Sequence, residues 1–152
     1  MSWPVAGGRE RYPVYRDEQG HINSGQGAAW DLCNEFLVAW VAPANGIVVT
    51  GTGRDPFKDD SAFHAGNVVV YQFGWNGGTY RAHFCHGAEL EVSVGQQFKQ
   101  GNWIGHVGYT GTFFDAQGRQ APGTEALAHL HLWCEKWDTD RWVRVPPSEL
   151  WG

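Results

Sequence analysis

Short stretches of alternating hydrophobic and polar residues recur through the middle of the chain, separated by turns that contain glycine. This period of two predicts β-strands, because successive side chains of a strand point to opposite faces. We expect strands at 67–73, 79–86, 91–94 and 103–108. A further strand should open at the Asn45-Gly46 turn, since Asn-Gly readily adopts the positive φ of a tight hairpin. The pattern indicates a mainly β fold, a single antiparallel sheet of short strands with an open groove.

Other segments have less regular patterns. We interpret 28–40 as strand, although 31–41 would also suit a helix of about three turns. Residues 51–66 are expected to form a polar loop. The Gly/Ala/Pro-rich stretch 109–128 is predicted to be a long loop, and loops of that length in compact domains are often functional. Residues 1–27 are polar and rich in glycine, which predicts an irregular N-terminal arm leading into one domain over 28–152.

Composition excludes several classes of protein. The chain has 152 residues and a net charge of −5, with no stripe of Lys or Arg, which argues against partners that are nucleic acids or anionic membranes. It has no signal-peptide pattern and no apolar run long enough to span a bilayer. The three cysteines, Cys33, Cys85 and Cys134, cannot all pair within one chain, so buried thiols are expected rather than a disulfide framework.

The strongest candidate for chemistry is His129-Leu130-His131, which lies in a strand-like run. Two histidines at i and i+2 of a strand project from one face, roughly 7 Å apart, so both can reach one metal ion or the ion and its water. Such a pair also occurs by chance on solvated strands. The motifs elsewhere in the chain therefore decide how it is interpreted.

Five motifs follow one another along the chain: Gly66-Asn67-Val68-Val69-Val70, Tyr80-Arg81-Ala82-His83-Phe84, the run from Val94 to Gly105, Gly108-Tyr109-Thr110-Gly111-Thr112, and His129-Leu130-His131-Leu132. Together they resemble the motifs of the lysostaphin/LytM-type zinc endopeptidases, which cut peptide cross-links of bacterial peptidoglycan. The match extends from about Ala28 to Leu132, and the segment from Val145 to Leu150 resembles the closing Pro segment of the family. The resemblance implies the LytM/lysostaphin peptidase fold.

The resemblance also implies roles for individual residues. His131 and Asp31 match zinc ligands, His129 matches the histidine that acts on the water, and His83 resembles the other catalytic histidine, although the family usually places the tyrosine two residues before it rather than three. Zinc with three protein ligands and an open position acidifies water and polarises a carbonyl, and neutral histidines can take the proton. Asn67 and Tyr80 resemble residues of the substrate groove. Trp75, Trp133 and Trp137 could stack on sugars, although packing is the more common role of such residues.

The chain departs from the family at one ligand. The family has a histidine four residues before the aspartate, and Gly27 occupies that position here. Because glycine has no donor atom, zinc binding is expected to be impaired or absent. His21 could replace the missing ligand from a Gly/Ser/Asn-rich segment. Less direct replacements are the thiolates of Cys33 and Cys85, or the side chains of His64, His86 and His106.

Two functions remain open from the sequence. The first is a non-catalytic, cell-wall-directed structural or binding module that keeps the groove without the metal. The second is an active zinc endopeptidase that hydrolyses peptidoglycan peptides with His21 as replacement ligand. A peptidoglycan peptide is the expected partner in either case. The lack of a signal peptide suggests a phage tail or virion component, with other tail proteins as further partners, or release to the cell wall.

Overall fold

A computed structural model describes residues 1–52, 65–114, 117 and 119–152. The strands of these residues are β1 (Val14–Arg16), β2 (Trp30–Leu32), β3 (Ala39–Val41), β4 (Gly46–Thr52), β5 (Asn67–Trp75), β6 (Gly78–Gly87), β7 (Gln97–Phe98), β8 (Trp103–His106), β9 (Thr112–Phe114), β10 (Gln120–Pro122), β11 (Leu130–Asp138) and β12 (Arg141–Val145). The helices are α1 (Gly8–Arg11), α2 (Glu18–Asn23), α3 (Ser148–Trp151) and a 3₁₀ turn (Glu125–Leu127).

One antiparallel sheet of eight strands dominates the structure. Its order is β1-β2-β11-β6-β5-β4-β7, and β12 pairs with the second half of β11. Two small two-stranded sheets, β3 with β8 and β9 with β10, complete the strands of the described residues. The predicted mainly β fold is confirmed. No helix among the described residues is long and apolar enough to cross a membrane.

Side chains of the central strands alternate between the core and the opposite face of the sheet. Leu130, Leu132 and Cys134 of β11 are fully buried and point into the core with Phe84 of β6. The residues between them on β11, beginning with His131, are only partly buried. We call this second surface of β11, β6 and β2 the open face. It carries the polar residues that concern function.

The N-terminal 27 residues differ from the irregular arm expected from the sequence. They contain α1, β1 and α2, and β1 pairs with β2 at the edge of the main sheet. The side chain of Asp17 caps α2 by accepting a hydrogen bond from the Gly20 amide at 3.0 Å. Val5 is 1% exposed and bridges to Trp40. This segment therefore packs on the same core as the rest of the chain.

Three other segments differ in detail from the prediction. The stretch 28–40 is two short strands, β2 and β3, joined by a turn with positive φ at Cys33 and Leu37. Residues 91–94 lead into a turn at Gly95, φ +89°, rather than forming a strand. The predicted loop 109–128 contains β9, β10 and the 3₁₀ turn. Most of the predicted loop 51–66 lies outside the described residues.

Gly105 shows why the sheet of β3 and β8 can close over the core. A Cβ built on Gly105 would lie 2.5 Å from Cε3 of Trp40, a fully buried side chain. Only glycine permits this approach of backbone and indole. The packing at Gly105 thus holds β8 against the core.

Candidate metal centre

Asp31 and His131 lie opposite each other on neighbouring strands of the open face. They are directly paired in the register of β2 and β11, and Nδ1 of His131 is 2.9 Å from Oδ1 of Asp31. Asp31 is buried with 6% exposure, whereas His131 is partly exposed. The sheet itself therefore brings together two of the residues that the sequence suggested as metal ligands.

His21 reaches the same carboxylate from α2. Its side chain is completely buried, and its Nε2 lies 3.2 Å from Oδ2 of Asp31. Its Nδ1 is 2.9 Å from the carbonyl oxygen of Asp17. A carbonyl can only accept, so Nδ1 carries the proton and donates it. The lone pair of Nε2 in the neutral ring then faces a carboxylate, and Nε2 has no hydrogen-bond partner.

These three side chains fit a zinc ion. One donor atom from each of His21, Asp31 and His131 lies within 4.8 Å of the other two. Tetrahedral zinc with bonds of 2.0–2.2 Å separates its ligand atoms by about 3.3–3.6 Å, somewhat more than the 2.9 and 3.2 Å found here between Asp31 and the two imidazoles. Two imidazoles and one carboxylate are an ordinary ligand set for catalytic zinc. A cation between Nε2 of His21 and Asp31 would also remove their unfavourable contact.

Asp31 is the charged centre of the cluster. Burial disfavours its ionised form, but the neighbouring imidazoles of His131, His21 and His129 outweigh that effect and hold its pKa well below the ordinary value. Arg16 adds a further cation, with Nη1 3.8 Å from Oδ2. The carboxylate is therefore ionised and available as an anionic ligand at neutral pH.

His129 precedes β11 and lies on the same face as His131. Its Nδ1 donates to the carbonyl of Leu127 at 2.9 Å, so the lone pair is on Nε2, which lies 3.7 Å from Oδ1 of Asp31. Burial lowers the pKa of His129, although the charge of Asp31 opposes the shift. The neutral ring can accept a proton beside the candidate metal ligands.

The structure also places a second histidine, His86, beside His129. From the sequence, His86 was expected only as a possible replacement ligand. Its ring lies 4.9 Å from that of His129, in an edge-on arrangement. Nδ1 donates to the carbonyl of Thr110 at 2.8 Å, which leaves the lone pair on Nε2. Burial lowers the pKa of His86 to about 3, so the ring is neutral.

A β-bulge explains why His86 was missed. The register of β5 and β6 changes by one residue between the Phe84 and Gly87 pairs, and His86 has a positive φ of 62°. Simple alternation would place His86 on the core side with Phe84, but the bulge turns it toward the cleft. Phe84 and His86 have the two-residue spacing that the family has between its tyrosine and histidine, with phenylalanine in place of the tyrosine, and this was the available signal.

His83, which resembled the second catalytic histidine, is placed elsewhere. Its Nε2 lies 2.7 Å from Oε2 of Glu135, and its ring stacks on Trp133 at 3.5 Å. It is on the open face but does not line the cleft that contains Asp31, His129 and His131. The unbulged part of β6 pairs His83 with Trp133, two positions beyond His131. The structure therefore puts His86, rather than His83, next to His129.

The two residues expected in the substrate groove also lie away from the cleft. Tyr80 lies an odd number of residues from His83 on β6, so its side chain faces the core side. It is 5% exposed, and its hydroxyl donates to Glu149 at 3.1 Å. Asn67 is 1% exposed, and its side-chain amide donates to the carbonyl of Ala88 at 3.0 Å. Tyr80 thus links β6 to α3, and Asn67 links β5 to the segment that follows β6.

The other replacement ligands considered from the sequence are separated from the cluster or unsuited to it. His106 pairs with Glu91 at 3.9 Å and borders a different, smaller pocket. His64 lies outside the described residues. Burial raises the pKa of Cys33 to about 11 and that of Cys85 to about 12, so both are neutral thiols. All three cysteines are free and buried, as expected.

The cleft over the cluster also contains residues from the N-terminal segment that the sequence analysis did not single out. The Tyr15 ring lies edge-on to His129 at 6.5 Å. Tyr15 and Arg16 are next to each other on β1, and both line the cleft. They were not predicted as site residues because the sequence indicated an irregular arm there. A strand of three residues is too short to show a periodic pattern.

Comparisons with known proteins agree with this architecture. No protein-family model matches the chain, and no curated protein sequence matches it. Solved structures do match. A zinc containing peptidase from Vibrio cholerae has a TM-score of 0.61 at 19% identity, over 93% of this chain and 37% of that one. The catalytic domain of lysostaphin from Staphylococcus simulans has a TM-score of 0.56 at 20% identity, over 82% and 79%.

A third match is the catalytic domain of the prophage-encoded M23 protein EnpA from Enterococcus faecalis, with a TM-score of 0.54 at 17% identity over 79% of this chain and 75% of that one. The chain has the fold of the M23/LytM/lysostaphin peptidases, which confirms the expected fold. It spans 37% of the Vibrio cholerae protein and 47% of full-length lysostaphin.

Proposed function

We propose that this chain is a zinc-dependent endopeptidase that hydrolyses an amide bond in the peptide cross-links of peptidoglycan. The observation that carries the proposal is the convergence of His21, Asp31 and His131, with the buried Nε2 of His21 unpaired and 3.2 Å from the carboxylate. The sequence favoured a non-catalytic module because Gly27 replaces the usual ligand. His21 supplies the donor atom that Gly27 lacks, which favours the second of the two functions.

His21, Asp31 and His131 would hold the zinc ion. Bound zinc supplies acidification of water and polarisation of the scissile carbonyl. His129 has its Nδ1 proton fixed by Leu127, so it accepts the proton of the attacking water at Nε2 and returns it to the leaving amine. His86, fixed in the same way by Thr110, places a second Nε2 lone pair beside His129, and we assign it the role of accepting a hydrogen bond from the attacking water and so orienting it.

The substrate class comes from the family resemblance and the matched fold. A peptide crossing the cleft would lie beside Tyr15 and Phe113, whose rings both lie edge-on to that of His129. The family favours small residues near the scissile bond, so we expect cleavage next to glycine. Residence in a phage tail or virion stays a prediction from the sequence, as does binding to other tail proteins.

Hydrolysis of purified peptidoglycan tests the proposal. Zinc-loaded wild type should release new free amino groups, and His131→Ala should release none because it loses a metal ligand. His129→Ala should keep the zinc and lose about 10²–10⁴-fold in rate, the usual contribution of a general base. His106→Ala is the matched control, since this histidine lies outside the cleft.

Two results would contradict the proposal. Zinc-loaded wild type that releases no amino groups from peptidoglycans of several cross-link types would identify a non-catalytic module. An unchanged rate in His131→Ala would remove the proposed metal site from the mechanism.

A further inference from the structure

His21 lies ten residues before Asp31, and the segment around and after His21 is held by two arginines, one on β1 and one on β12. We call residues 20–28 the ligand loop. Nη2 of Arg16 donates to the carbonyl of Gly20 at 3.3 Å and to the hydroxyl of Ser24. Nε of Arg144 donates to the carbonyl of Ala28 at 3.0 Å, and its Nη2 donates to that of Gln26 at 3.4 Å.

Arg16 is placed by the sheet and by a glycine. It pairs with Asp31 in the register of β1 and β2, and its Nη1 is 3.8 Å from Oδ2 of Asp31. A Cβ on Gly20 would lie 3.1 Å from Cγ of Arg16, so the absence of a side chain at Gly20 lets the arginine stem lie against α2. One guanidinium thus contacts the helix that carries His21 and lies beside the carboxylate that His21 faces.

Arg144 is fixed by a stack on the open face. Its Cζ lies 4.2 Å from the ring centroid of Trp133, and the His83 ring stacks on the same indole at 3.5 Å. Glu135 in turn binds His83. A Cβ on Gly27 would lie 3.5 Å from Cζ of Arg144. The guanidinium therefore lies in van der Waals contact with the point from which a side chain at position 27 would extend.

We propose that Arg16 and Arg144 are positioning residues that hold the ligand loop so that His21 reaches Asp31. The loop contains three glycines and would lose much conformational entropy if zinc alone had to order it. Charged donors make stronger hydrogen bonds than neutral ones, and the planar fork of arginine holds two acceptors at once. This inference rests on the proposed zinc site and explains how a ligand ten residues before Asp31 replaces one four residues before it, at position 27.

The test compares zinc affinity in Arg16→Lys, Arg144→Lys and wild type, by competition with a chromophoric chelator. Lysine keeps the charge and removes the fork. Each variant should bind zinc about 10–100-fold more weakly, the usual cost of losing a group that orients a metal ligand. Arg81→Lys is the matched control, because Arg81 also lies over an indole, that of Trp142 at 4.1 Å, but contacts no part of the loop.

Two further readouts separate positioning from other roles. Amide hydrogen exchange of the zinc-free variants should be faster in residues 20–28 and unchanged in β5 and β6. Hydrolysis of peptidoglycan should return to the wild-type rate at saturating zinc, which a residue that binds substrate would not allow.

If a lysine variant unfolds, Ser24→Ala removes one acceptor of Arg16 at an exposed position and should weaken zinc binding about threefold to tenfold.

The outcomes distinguish this inference from the proposed function. Wild type that binds no zinc overturns both. If wild type binds zinc but both lysine variants bind it with an affinity within twofold of wild type, or Ser24→Ala binds it with unchanged affinity, only the positioning roles are overturned. A raised KM with unchanged zinc affinity would assign the arginines to substrate binding and also overturn them as positioning residues.

Discussion

Replacing His21 by alanine should abolish most of the zinc affinity. The change removes one of three protein ligands, and the ligand is one whose Nε2 has no other partner in the folded protein. Structural zinc sites with four ligands bind with about 10–16 kcal/mol, or about 3 kcal/mol per ligand. Since 1.4 kcal/mol is a factor of ten, we expect zinc to bind His21→Ala about 100-fold more weakly, or worse.

Thermal unfolding with and without zinc measures this directly. A zinc concentration 1,000 times the wild-type Kd stabilises the folded state by about 4 kcal/mol, and a variant with 100-fold weaker binding gains about 1.4 kcal/mol at the same concentration. For a domain of this size 1 kcal/mol moves Tm by about 2–4 °C. Zinc should therefore raise the Tm of wild type by about 8–16 °C and that of His21→Ala by about 3–6 °C.

A second variant tests the geometry behind this expectation. Restoring the family histidine in the double variant His21→Ala, Gly27→His should not restore zinc binding. A side chain at position 27 would start 3.5 Å from the Arg144 guanidinium, and the backbone there has φ +75°, which disfavours any residue with a Cβ. Melting in the presence of a chelator controls for folding, and His21→Gln provides a side chain of similar size.

Either of two results would contradict the proposed role of His21 or the geometry at position 27. Zinc affinity in His21→Ala within threefold of wild type would show that His21 is not a ligand. Recovery of wild-type affinity in the double variant would show that position 27 still faces the metal centre.

Three further predictions concern single side chains. His86→Ala should lower kcat by about 10²–10⁴-fold with zinc retained, whereas His83→Ala should leave kcat at saturating zinc within threefold; the reverse order would return the catalytic role to His83. Gly105→Ala should destabilise the fold by about 1–3 kcal/mol in urea titrations, because the new methyl group would overlap Trp40; an unchanged midpoint would contradict that packing. Cys85 should not react with a thiol reagent at pH 8 in the native state, since burial holds its pKa near 12 and keeps the thiol protonated; rapid reaction of the folded protein would contradict its burial.

The sheet could be predicted from the sequence because its long strands carry a clear period of two. The strands β5, β6 and β11 lie close to where the alternation of residues indicated. The His-x-His spacing placed His129 and His131 on one face for the same reason. These patterns are local, and strand geometry alone determines from them to which face of the sheet each side chain points.

The N-terminal half of the site could not be predicted in this way. β1 has three residues and α2 has six, too few to show a hydrophobic period. His21 reaches Asp31 only through the fold of the loop between them, which depends on arginines from β1 and β12. His86 was missed because a bulge reverses the face that alternation assigns to it, and His83 was favoured because it lies on the regular part of the same strand.

A crystal structure of the zinc-loaded protein, with anomalous diffraction measured at the zinc edge, tests the proposed metal site. We expect one strong anomalous peak, within about 2.0–2.2 Å of Nε2 of His21, a carboxylate oxygen of Asp31 and a ring nitrogen of His131. His129 and His86 should face the open coordination position. A peak bound by other residues, or no peak at saturating zinc, would show that His21 does not complete a metal site.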